Sequence, residues 1–136
     1  MQQRSVTLIR SEALSDVAEY AYAAAAPSNA RLIFLAGSCP LNQDGSTAGV
    51  GDYRVQAAKA VENMRIALEA AGANVENVIS TRVLVASSDQ ADLVAAWEVV
   101  RAAFGDHDVP STLMGVTVLG YTNQLVEIEA VAAVID

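Results

Sequence analysis

Two stretches of helical periodicity, each followed by an apolar strand, most constrain what this chain can fold into. Ala57, Val61, Met64, Leu68 and Ala71 fall at i, i+4, i+7, i+11 and i+14, one stripe on one helix face. Asp52 ahead of them can accept backbone N–H bonds as an N-cap, and Gly72 behind them suits a left-handed stop. Val78-Ile-Ser-Thr-Arg-Val-Leu-Val-Ala86 then reads as a strand. A second helix opens at Ser87-Ser-Asp89, carries Leu93, Ala96, Trp97 and Val100 as its stripe, and closes near Gly105. After the polar loop Asp106 to Pro110 come strands at Thr112 to Leu119 and Gln124 to Ile135, with a turn over Gly120 to Asn123 between them.

Upstream, Ser5 to Ser11 alternates as a strand, with Val6, Leu8 and the aliphatic part of Arg10 on one side and Thr7 and Ile9 on the other. Another strand covers Tyr20 to Ala26, and Arg31 to Gly37 is a near-continuous apolar run ending in glycine. Helices that each return the chain to a sheet predict an α+β fold: a mixed sheet of about six strands, with two helices packed on one face. No third helix is encoded to cover the opposite face. A second subunit is expected there.

Composition bounds the rest. The chain has 136 residues, 53% of them hydrophobic and 18% charged, which excludes intrinsic disorder. With no linker, repeat or low-complexity tract, residues 1–136 are read as one domain. Sixteen acidic residues stand against eight basic ones, Lys59 and seven scattered arginines, so neither nucleic acid nor an anionic membrane is an expected partner. There is no apolar run of the ~18 residues that a membrane-spanning helix needs, and no hydrophobic leader. Cys39 is the only cysteine and cannot form an internal disulfide. The chain reads as cytoplasmic.

No metal constellation is visible. His107, the only histidine, lies in an Asp-rich turn and is read as a solvated loop residue. No glycine spacing matches a dinucleotide or phosphate loop. Glu127 and Glu129 stand two apart on the last strand, so both point to one face. That pattern fits a solvent-facing stripe. If the face is covered by another subunit, it fits instead a carboxylate desolvated toward the range of proton transfer. Trp97 lies on a helix stripe and reads as core rather than as a stacking platform. Tyr20 and Tyr22 can place one phenol in a pocket and one outside. Cys39, at a strand end with nothing basic nearby in sequence, reads as a small buried thiol.

Taken together, several segments resemble the Rid family, the reactive intermediate/imine deaminases also called YjgF-like. They are Tyr-Ala-Tyr22 before an apolar strand, Leu-Ala-Gly-Ser-Cys-Pro-Leu41 with Asp-Gly45, and Gln56 with Val61-Glu-Asn63. Ala-Ala-Gly72, Thr-Arg-Val-Leu-Val85 and Leu-Val-Glu-Ile-Glu-Ala-Val131 follow in order. The resemblance implies a chorismate-mutase-like fold assembled as a homotrimer with clefts between subunits. It also implies cofactor-free hydrolysis of small enamines or imines to a carbonyl compound and ammonia.

Carried over by position, the water-orienting carboxylate is Glu127, the pocket tyrosine Tyr22 and the strand-end glycine Gly37, with Cys39 counted among the substrate contacts. The substrate-gripping arginine of active relatives falls on Ser111, in Val109-Pro-Ser-Thr-Leu113, and their pocket asparagine on Trp97. A serine cannot pair a carboxylate bidentately. The resemblance is therefore to the arginine-lacking branch. The first expectation is hydrolysis of an imine or enamine that lacks the usual carboxylate, oriented by Ser111 and Thr112, with Glu127 guiding water. The alternative is a homotrimer that binds a small-molecule ligand without chemistry. A ribonuclease role ranks last on charge. In the catalytic case Glu127 faces an open cleft; in the binding case Arg82 or Arg101 seals it.

Overall fold

The computed structural model describes residues 4–17 and 19–136. Its strands are β1 (Thr7–Ile9), β2 (Ala23–Ala25), β3 (Arg31–Phe34), β4 (Val78–Val85), β5 (Ser111–Gly115) and β6 (Val126–Val134). Helices α1 (Tyr53–Ala70) and α2 (Gln90–Phe104) complete the frame, with a short 3-10 turn at Val75–Asn77.

Both helices begin and end where local chemistry directs. The Asp52 carboxylate accepts the Val55 N–H at 3.0 Å, and Gly72 beyond the last turn takes φ +82°. Asp89 caps α2 through the Ala91 N–H at 3.0 Å, and Gly105 stops it at φ +57°.

The six strands divide between two sheets rather than forming one. β1 and β2 make a small antiparallel ribbon, and the other four run in the order β3-β6-β4-β5. A turn at Pro27, closed by the Ala30 N–H on the Pro27 carbonyl at 3.0 Å, redirects the chain between β2 and β3. β5 is also shorter than the expected Thr112 to Leu119. A Cβ on Gly115 would come within 2.5 Å of the Ser87 carbonyl oxygen, so the ladder reaches its end against another backbone segment.

β6 is antiparallel to both β3 and β4, while β4 and β5 are parallel. The chain therefore makes two parallel crossovers, through α1 and α2, and β6 fills the gap between β3 and β4. Met64, Leu68, Ala96 and Val100 from the helices pack with Val83, Val85, Val126, Ile128 and Ala130 in one core. The alternate positions face away from the helices: Arg82 and Leu84 on β4, opposite Glu129 and Glu127 on β6. On β3, Leu32 and Phe34 remain 53% and 74% exposed. One sheet face is bare, as the two-helix pattern predicts.

Two buried or half-buried amides on α1 lock the loops beside that sheet. Gln56, fully buried, donates to the Gly49 and Asn123 carbonyls and accepts the Leu125 N–H at 2.7 Å. Asn63 donates to the carbonyls of Cys39 at 2.8 Å and Leu41 at 2.9 Å.

Candidate functional site

Glu127 is the second residue of β6, on the face away from the helices. Ser38 and Ile128 exchange backbone hydrogen bonds of 2.7 and 3.0 Å, which draws the segment after β3 alongside it. Gly37 then passes so close that a Cβ there would lie 2.5 Å from Glu127 Oε2. Glycine is required here for proximity rather than for backbone angle. The Cys39 thiol donates to Glu127 Oε1 at 3.2 Å, and Gln124 Nε2 donates to the same oxygen at 3.2 Å.

Cys39 is half-buried, not a core thiol, and its neighbour is acidic. Burial first, then the hydrogen bond and the negative charge of Glu127, push its pKa up to about 11. It is a protonated donor near neutral pH, not a nucleophile. Neither arginine considered as a seal reaches Glu127. Arg82 lies 3.9 Å from Glu129, and Arg101 pairs with Glu19 at 2.6 Å.

A second cluster sits on the opposite face. Ser111 pairs in register with buried Thr81, whose hydroxyl donates to it at 2.8 Å. Trp97, Val100, Phe104 and Val109 enclose the rest of a narrow cavity with room for about one water molecule. Its charged borders are already paired, Arg101 with Glu19 and Arg10 with Asp108, each at 2.6 Å. Trp97 packs against the core as expected, and also meets the Tyr20 ring edge-on, centroids 6.1 Å apart.

Two sequence expectations change here. Ser111 and Thr112 cannot orient one substrate within a single chain: they are adjacent on a strand, and Thr112 pairs with Arg82 on the bare face. Tyr20 meets Trp97, while Tyr20 and Tyr22 together line an outer groove in which Tyr22 donates to the Ser15 carbonyl. His107 is not a solvated loop residue. It is half-buried, with Nε2 at 2.8 Å from the Val78 carbonyl, and braces the chain after α2 against the start of β4.

Sequence reading missed Gln124. It is only 4% exposed and shares parity with buried Val126 and Ile128, so period-two counting places it inward, where an amide must find partners. No three His, Cys, Asp or Glu side chains converge as metal ligands among the described residues. No described helix is long and apolar enough to cross a membrane.

Residues 11–134 match the family described as Endoribonuclease L-PSP, which includes the YjgF/Rid proteins. The chain belongs to this family. A RutC family protein of Pyrococcus abyssi is 31% identical over 100 residues, 74% of this chain and 76% of that protein. Among solved structures, the Rid-family protein YyfB of Yersinia pestis, of unknown function, superposes with a TM-score of 0.88. Its identity is 25%, over 96% of this chain and 99% of its own. A YjgF-family member from Mycobacterium tuberculosis is 29% identical, over 96% and 100% of the two chains, at a TM-score of 0.64. Within this Rid-family frame, the Glu127 and Ser111 clusters occupy opposite faces of one sheet and share no cavity in a single chain.

Proposed function

We propose that the protein hydrolyses a small, uncharged imine or enamine to a carbonyl compound and ammonia, without a cofactor, in a cleft between subunits of a homotrimer. The observation that carries this reading is the state of Glu127. Both hydrogen bonds it accepts among the described residues come from uncharged groups and fall on Oε1. Oε2 lies over Gly37. One carboxylate oxygen therefore remains for a water.

In this mechanism Glu127 takes a proton from water as the water oxygen adds to the imine carbon. Glu127 returns that proton to the nitrogen to give the carbinolamine, then takes the hydroxyl proton and delivers it to the nitrogen as the C–N bond breaks and the carbonyl forms, so that ammonia leaves. An enamine enters the same path once a proton has moved to its β-carbon. The oligomer follows from the bare sheet face, where Phe34 and Leu32 await cover and where a neighbour's Ser111 side can meet Glu127. The preference for an uncharged substrate follows from the Ser111 cavity, whose hydroxyls face apolar walls and whose bordering charges, Arg101, Glu19 and Asp108, are all paired.

The narrowness of that cavity favours a second reading, a homotrimer that binds a small molecule without turning it over. Ammonia release separates the two. Freshly generated 2-aminoacrylate and several imines without a carboxylate are offered to the wild type and to Glu127→Ala. Turnover lost in the variant supports the hydrolase. No turnover on any member, from a folded trimer, overturns it for those substrates.

A further inference from the structure

We propose that Gln124 and Cys39 are a positioning pair: together they fix Glu127 through Oε1 and leave Oε2 as the oxygen presented to the ligand. The inference rests on reading Glu127 as the working carboxylate and assigns what holds it.

Gln124 is fixed because every polar atom of its amide is committed. Its Oε1 accepts the Tyr121 N–H at 3.1 Å, and Nε2 donates to the Val126 carbonyl at 3.1 Å and to Glu127 Oε1 at 3.2 Å. A primary amide has two N–H donors, so both are used. Rotating this buried side chain would orphan several groups at once. Cys39 is held independently, by Asn63 on its carbonyl at 2.8 Å, and aims its S–H at the same carboxylate oxygen. A carboxylate oxygen has two lone-pair directions, so two donors saturate Oε1.

Because both donors are uncharged, they orient Glu127 without neutralising it, as an arginine would. The other charged groups on its sheet face are Arg82 and Glu129, which lie 3.9 Å apart. Across the ladder it meets Leu84, and from the segment after β3 the titratable neighbour is Cys39.

With a single cysteine in the chain, iodoacetamide alkylation followed against pH reports Cys39 alone. The intact protein should titrate near 11, and Glu127→Gln should lower the midpoint by about one unit or more, because the adjacent negative charge is gone. Gln124→Met should leave the midpoint unchanged or higher, since its amide favours the thiolate. This readout needs no turnover, so it is independent of whether the hydrolase reading holds.

For activity, Gln124→Met and Cys39→Ala should lower kcat by about tenfold or more, with KM little changed. Cys39→Ser, which keeps a donor, should restore kcat. A thiol midpoint identical in the wild type and Glu127→Gln would overturn the pair. So would a folded Gln124→Met variant with an unaltered kcat. A wild type inactive on every substrate would overturn the hydrolase reading alone, leaving the thiol titration to decide whether the pair holds Glu127.

Discussion

The two polar clusters of this chain are built on opposite principles. Around Glu127, two chain segments contribute uncharged donors and a glycine, so a carboxylate is oriented by neutral groups. Around Ser111, hydroxyls are bonded to each other, apolar side chains close the walls, and the bordering charges cancel in pairs. The difference teaches that charge is supplied at one end of the proposed cleft and withheld at the other. Such a division suits a substrate that is polar at the reacting bond and uncharged elsewhere.

The largest expected effect removes the charge itself. Glu127→Gln keeps the shape and both donors but deletes the base, and should lower ammonia release by about a hundredfold to ten-thousandfold. Full activity in this variant would erase the contrast between the clusters. Keeping them from meeting should be nearly as severe. Phe34→Asp places a charge on the bare sheet face and should dissociate the proposed trimer, read by light scattering, with activity lost in proportion. An active monomer would show that one chain suffices.

Gly37→Ala tests the narrow approach to Oε2. The added methyl would lie 2.5 Å from that oxygen, so Glu127 must shift, and kcat should fall by about tenfold to a hundredfold while thermal stability changes little. The other cluster is tested by giving it the charge it lacks. Ser111→Arg alone has no room beside Trp97 and should bind a simple 2-keto acid no better than wild type. Combined with Trp97→Asn, it should gain about 1.5–3 kcal/mol of affinity for the carboxylate by calorimetry. A single Ser111→Arg variant that binds as well as the double would show that Trp97 does not set the limit.

What could be read from the sequence was what short-range chemistry controls. Asp52, Asp89, Gly72 and Gly105 mark helix ends because caps act within one turn. Period two alone placed Glu127 and Glu129 on one face, and the register agrees. The same rule separates Ser111 from Thr112 and turns Gln124 inward, yet neither followed from reading the residues for chemistry one at a time. The division into two sheets and the early end of β5 depend on distant backbone, a turn at Pro27 and the approach of Ser87 to Gly115. Periodicity carries no information about such contacts. The choice between Tyr20 and Tyr22 was equally hidden, because both positions have the same parity and only the path of the loop decides which meets Trp97.

The smallest effect belongs to His107, and it separates scaffold from site. Its imidazole bonds the Val78 carbonyl at the first residue of β4, remote in function from both clusters. Removing it in His107→Ala costs one half-buried hydrogen bond and some packing, about 1 kcal/mol of stability in chemical denaturation. Because β4 continues to be held by β6 on one side and β5 on the other, its register should survive the loss. Ammonia release per folded molecule should therefore stay at the wild-type level. A fall in kcat without a fall in stability would bring the histidine into the chemistry, and the proton handling assigned to Glu127 alone would have to be shared.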